Sequence, residues 1–224
     1  MTVRLTFLCV PGGGATTGPL FDDAPLSTHA LHMAGATRTT LLPCHELALQ
    51  APSARCTQVA DALGLVAAPE PALRDLDLGS WTGLALDDVA AADPDGFTAW
   101  LTDPDAAPHG GESVRELCRR TADWMNGTAP DTGHTVVLAE AAVVRAALIH
   151  ALAVPARAFW HLAVPSLSPV SLTRRHGSWD VSLGHLPGEP GRRGAFSQSA
   201  TLVRPRRADW TSGTDQVLPG HDLH

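Results

Sequence analysis

The chain contains no lysine and no tyrosine, and aromatic residues make up only 5% of its 224 positions. Each shortage excludes something. Without lysine there is no Schiff-base nucleophile and no P-loop cation for a nucleotide phosphate. Every strong base is an arginine. With so few aromatics, alanine, leucine and valine must do most of the packing. The four cysteines, at 9, 44, 56 and 118, form no CxxC pair, so zinc-ribbon spacing is excluded. No apolar run approaches a membrane span, and the short apolar segment in MTVRLTFLCV does not make a signal peptide. Scattered thiols and the lack of a targeting segment lead us to expect a cytoplasmic protein with no membrane partner. A formal charge of −7 argues against nucleic acid as a partner of the main domain.

The apolar content of 44% suffices for one sizeable core. Residues 3–10, VRLTFLCV, read as a buried strand. Helical signals follow around 26–36, with Ser27 as N-cap. A second strand is expected over 45–52. A helix is expected over 53–64, capped by Ser53 and closed by Gly64. TGLALDDVAAAD, 82–93, reads as a short helix stopped before Pro94, and residues 112–125 are amphipathic. TVVLAE, 135–140, is a third buried strand, and 141–153 an apolar helix. Residues 169–175 and 178–184 alternate around His176–Gly177, the pattern of a hairpin. Alternating strands and helices predict an α/β fold: three layers, a largely parallel sheet with helices on both faces, and the hairpin at an edge. Ligands bind at the carboxyl ends of parallel strands, which places 9–18, 51–55 and 139–142 on one rim. After residue 185 the chain turns rich in Gly, Pro, Ser and Arg. We therefore expect one domain over 1–185 and a flexible tail over 186–224.

The first strand runs into FLCVPGGGATTG, a plausible anion-binding turn. Several phosphate chemistries nevertheless fail there. The dinucleotide pattern G-x-G-x-x-G breaks at Thr17, and a Walker loop needs a lysine. A cysteine phosphatase loop starting at Cys9 would need an arginine where Ala15 stands. No cofactor is expected.

Four other segments are more specific: SARCTQVADALGL (53–65), LRDLDLGSWTGLALDDV (73–89), PHGGESVREL (108–117) and VVLAEAAVVRAALIHALAVPARAFWHL (136–162). FDDAPLS, 21–27, fits the same order. Together they resemble the histidine phosphatase superfamily, the phosphoglycerate mutase-like fold, over residues 3 to 184. The resemblance implies a phosphohistidine mechanism. A histidine after the first strand attacks the phosphoryl group, while a second histidine and two arginines hold it. A carboxylate then protonates the leaving oxygen.

This chain departs from that pattern where the chemistry is most demanding. The Arg-His pair falls within Cys9, Val10 and Pro11, next to Gly12, and none of these is an arginine or a histidine. The second histidine falls at Glu140. The resemblance carries the second phosphate-binding arginine to Arg55 and the acid to Asp75. It places His109 beside a loop at the pocket mouth. Arg55 also reads as a helix-end arginine paired with a carboxylate, and His109 as an exposed loop histidine. The expectation is a degenerate family member: a non-catalytic or repurposed scaffold for a small ligand or a partner. An anionic or phosphorylated small molecule is one candidate ligand. On charge alone, Arg55 against Asp75 and Glu140 suits a cationic or neutral one. Two alternatives stay open. One is a phosphomonoesterase or mutase-like enzyme using the Asp75 and Glu140 carboxylates. The other is a divalent-metal, cobalt- or cobalamin-linked role using Glu140, Asp75 and Cys9 or His109.

Overall fold

The structure is a computed structural model, and it describes residues 2–12, 25–36, 45–129 and 133–183. Gly13, Gly14, most of 21–27, Cys44 and the expected tail over 186–224 lie outside the described residues.

Strand β1 (Thr2–Cys9) is buried along most of its length, and β4 (His134–Ala139) is buried at every position. Burial on both sides means both faces of the sheet are covered, as in α/β layer folds. β1 pairs with β4, and β4 with β2 (Leu47–Gln50), all in parallel. A two-residue strand, β3 (Ala68–Pro69), extends the parallel set beyond β2. On the other side of β1 lie β5 (Pro169–Arg175) and β6 (Ser178–Leu183), both antiparallel to their neighbours. The sheet order is β3-β2-β4-β1-β5-β6. The expected edge hairpin is therefore present. His176 and Gly177 both take positive φ, 50° and 81°, as a two-residue hairpin turn with right-handed strand twist requires.

The helices form where their end signals stand. α1 (Thr28–Ala36) starts with Ser27 Oγ accepting from Ala30 N. α2 (Ala54–Leu63) starts with Ser53 Oγ accepting from Cys56 N and ends at Gly64, φ 64°, whose N–H returns to Ala60 and Asp61. α3 (Leu86–Ala92) is shorter than the expected 82–93. Next comes a helix that sequence analysis does not assign, α4 (Pro94–Thr102). Pro94 was expected to stop a helix. It also opens one, because the first helical position needs no N–H, and Asp93 caps it by accepting from Gly96 N. α5 (Val114–Gly127) carries a full capping box between Ser113 and Glu116. α6 (Ala141–Leu152) is buried around most of its circumference and packs against β1, β6 and α5. Among the described residues no helix is long and apolar enough to cross a membrane. Cys9 and Cys56 are buried free thiols, and Cys118 is partly buried.

Two glycines lock the loop that carries Asp75. A Cβ on Gly79 would run into the backbone of His109 and Gly111, and one on Gly111 into that of Asp77 and Gly79. This close approach lets Glu112 N donate to Asp77 O at 2.7 Å and Ser80 N to His109 O at 3.0 Å.

Candidate functional site

The carboxyl ends of β1, β2 and β4 lie on one edge of the sheet because the three strands are parallel. A cleft of about 260 Å³ opens there, and its lining includes Ser53, Arg55, Asp75, Asp77 and Glu140. Each arrives for a local reason. Arg55 sits in the first turn of α2, just past the Ser53 cap. Glu140 is the residue between β4 and α6 and makes no capping bond to its own helix. Asp75 lies in the loop after the 3₁₀ turn Pro71–Leu73.

A second clamp holds that loop. From α5, Arg120 Nη1 donates to Ala72 O at 2.6 Å and Arg74 O at 3.0 Å. Its Nε and Nη2 meet both oxygens of Glu112, at 2.9 and 2.6 Å. This bidentate pair fixes the backbone one residue ahead of Asp75. Nothing local in the sequence distinguishes Arg120, one of two adjacent arginines on an amphipathic helix.

The hydrogen bonds in the cleft are unevenly distributed. Glu140 Oε1 accepts from Ser53 Oγ at 2.6 Å and from Cys56 Sγ at 3.6 Å, whereas Oε2 is buried with no partner among the described residues. Arg55 Nε is also buried and unpartnered. Among the described residues no carboxylate lies within ion-pair distance of Arg55, so the helix-end pairing considered for it is not what the structure contains. Arg55 and Glu140 are 5% and 4% exposed, so neither orphan atom is left to bulk water.

Burial pushes the Asp75 carboxyl up to about 7, and the negative charge of Glu140 adds to the rise. The Leu76 N–H, Arg55 and Arg120 oppose it. Asp75 can thus hold a proton near neutrality, as a general acid requires. Cys9 is pushed up to about 12, mainly by burial, so its thiol stays protonated and is a poor nucleophile. Cys56 is pushed up by burial and by Glu140.

The other expected residues are placed differently. Cys9 and Val10 are each 1% exposed and belong to the core, with Val10 N donating to Ala139 O at 2.9 Å. Cys9 feels the charges of Arg145, Glu140 and Asp75 but, like Val10, Pro11 and Gly12, is not part of the lining. His109 is not an exposed loop residue and does not line the cleft. It is 2% exposed, its ring stands edge-on to Trp81 at 5.1 Å, and Nδ1 accepts from Gly111 N at 3.0 Å. Its Nε2 is buried without a partner, and burial lowers its pKa. A fold-locking role accounts for its position between the two glycines. Among the described residues no group of three or more His, Cys, Asp or Glu side chains could hold a metal ion.

Arg145 is a second residue near the site that the segment order does not bring to attention. It is part-buried on α6, donates from Nε to Leu162 O at 2.9 Å, and lies over the Phe159 ring at 5.4 Å. Its charge reaches Cys9 and Asp75. The available signal is the lone charge in the apolar run AAVVRAALIHALA.

Comparisons with known proteins agree with this architecture. The family model described as "Histidine phosphatase superfamily (branch 1)" matches residues 21–185. A glucosyl-3-phosphoglycerate phosphatase of Mycobacterium tuberculosis is 34% identical over 127 residues, 52% of this chain and 56% of that protein. The chain therefore spans little more than half the length of the curated relatives it matches. The solved structure of a mycobacterial glucosyl-3-phosphoglycerate phosphatase superposes with a TM-score of 0.65 at 24% identity, covering 82% of this chain and 98% of that one. The same mycobacterial enzyme has been solved with inorganic phosphate, matching at a TM-score of 0.63 and 24% identity over 80% of this chain and 95% of that one. An α-ribazole phosphatase from Shigella flexneri superposes with a TM-score of 0.70 at 18% identity, covering 80% and 95%.

Proposed function

The chain belongs to the histidine phosphatase superfamily, and from that premise we propose that it is a binding member of the family. In this reading it takes a small phosphate-type anion in the cleft of Arg55, Asp75 and Glu140 and passes no phosphoryl group through a histidine. The observation that carries the proposal is the buried, unpartnered Nε of Arg55 in a cleft that no described histidine lines. A donor for an anion remains, and no imidazole of the described residues lines the cleft with it. The strand that would deliver the attacking group ends in Cys9 and Val10, which are packed into the core, and the Cys9 thiol stays protonated. A mycobacterial relative has been solved with inorganic phosphate, which supports the ligand class.

A second reading rests on Asp75, whose carboxyl is pushed up to about 7. In it, Glu140 Oε2 bonds to the phosphorus of a phosphomonoester. The P–O ester bond breaks, and Asp75 gives its proton to the leaving alkoxide. Water then hydrolyses the acyl phosphate. Turnover of a chromogenic phosphomonoester separates the two. The binding reading predicts no turnover above background and no covalent label from ³²P substrate. Turnover abolished by both Asp75→Asn and Glu140→Gln, with a hydroxylamine-sensitive label, would establish the second reading. A phosphohistidine label would overturn both.

A further inference from the structure

Two buried atoms of opposite hydrogen-bonding character belong to residues that line one cleft. Arg55 Nε can only donate, and Glu140 Oε2, on a carboxylate whose charge raises Asp75 and Cys56, accepts. Ser53 and Cys56 already occupy the other oxygen of Glu140, so Oε2 is the one left for a ligand. Ser53 and Arg55 belong to the same turn of chain. The bond from Ser53 to Glu140 therefore ties the acceptor's side chain to the turn of chain that carries the donor.

A ligand that satisfies both atoms must itself carry an acceptor and a donor. A fully deprotonated oxyanion offers acceptors only. It meets Arg55 well but leaves Oε2 unsatisfied and facing like charge. We propose that this cleft selects oxyanions bearing an acidic O–H, hydrogen phosphate above all, over fully deprotonated ones such as sulfate or a phosphomonoester dianion. One phosphate oxygen accepts from Arg55 Nε, and the P–OH donates to Glu140 Oε2. The inference rests on the reading of the cleft as a phosphate-type anion site, and it turns the acid that disfavours a phosphoester dianion into the selecting group. Hydrogen phosphate keeps a proton throughout the neutral range, whereas a phosphomonoester loses its last proton around pH 6. The cleft would then hold inorganic phosphate and reject the family's kind of substrate.

The charged and titratable groups in or near the site come from five elements, among them α5, whose Arg120 acts on Asp75. Arg55 and Cys56 lie on α2. Arg74, Asp75 and Asp77 lie on the loop. Glu140 and Arg145 stand at and within α6, and Cys9 ends β1. Asp75, pushed up to about 7 by burial and by Glu140, changes charge near neutrality. At about pH 7.5 phosphate, sulfate and methyl phosphate all carry close to two negative charges, so the Asp75 charge weakens them alike and ratios between them at that pH report on Glu140.

The test is calorimetric titration of the full chain with inorganic phosphate, sulfate and methyl phosphate at about pH 7.5 and about pH 5.5, on either side of the ester's last ionisation. At the higher pH, phosphate should bind roughly tenfold or more tighter than sulfate, the cost of one unmet buried acceptor. At the lower pH, methyl phosphate should gain more than sulfate does. Glu140→Gln supplies an amide donor, so the preference for phosphate over sulfate should collapse. Equal affinity for phosphate and sulfate in the wild type, or a ratio unchanged by Glu140→Gln, overturns the inference while leaving an anion site. Absence of phosphate binding at either pH overturns the anion-site reading itself. If Glu140→Gln does not fold, the wild-type preference for phosphate over sulfate at about pH 7.5, where the two carry nearly the same charge, decides.

Discussion

Replacing Asp75 by asparagine removes a titrating group at little steric cost. The amide Oδ1 can still accept from Leu76 N, the 2.9 Å bond that Asp75 makes now. In the folded protein the carboxyl rises from 3.8 to about 7, with burial and then Glu140 as causes. The folded state thus holds the proton more tightly than the unfolded chain does. Below about pH 4 both states are protonated and the group contributes nothing to the pH dependence. Between about 4 and 7 the folded state binds more protons, so stability falls as pH rises, and above about 7 the loss is complete. At about 1.4 kcal/mol per pH unit the ceiling is on the order of 4 kcal/mol. Water in the open cleft screens part of the penalty, so we expect about 2 kcal/mol at pH 8. Asp75→Asn should therefore stabilise the protein at pH 8 by about that amount, or roughly 4–8 °C in Tm for a chain of this size. Near pH 4 it should be almost neutral. Urea denaturation at the two pH values checks both statements. A variant equally less stable than wild type at both would show that Asp75 carries no raised pKa and that the carboxylate is needed structurally.

Two further outcomes follow from the same geometry. Arg120→Ala strips Glu112 of its bidentate partner and frees the carbonyls of Ala72 and Arg74, so it should cost about 3 kcal/mol in denaturant unfolding. Arg120→Lys should recover only part of this, because an ammonium cannot reproduce the fork. Burial raises the thiol pKa of Cys9 and Cys56, so at pH 8 a thiol reagent should label these two only once denaturant is added, as mapped by mass spectrometry. Rapid labelling of Cys9 in the native protein would contradict its place in the core.

Most of the layer structure was legible from local pattern. VRLTFLCV and TVVLAE are apolar runs of strand length, and both lie in the centre of the sheet. Ser53 with Gly64, and Ser113 with Glu116, mark helix ends by the bonds their side chains or backbone must make, and those helices run where the marks stand. Two elements escaped. α4 was hidden because a proline reads equally well as a stop and a start, and β3 because two residues carry no periodicity.

The site was legible in part. The segment order brought Arg55, Asp75 and Glu140 to attention, and they line one cleft. Which other residues belong there was not readable. His109 lies only two residues from Gly111, yet its ring turns inward against Trp81. Arg145 and Arg120 approach Asp75 from two helices far along the chain.

The sequence alone determined where most of the strands and helices form, because hydrophobic period and capping are settled by neighbours a few residues apart. It also determined which reactive groups are missing, since an absent lysine cannot be folded into existence. Tertiary structure alone decided that Ser53 donates to Glu140 across 87 positions and that Glu140 Oε2 and Arg55 Nε, on residues lining one cleft, find no partner among the described residues. Hydrogen-bond partners and desolvation depend on which distant segments meet, and no local pattern encodes that meeting.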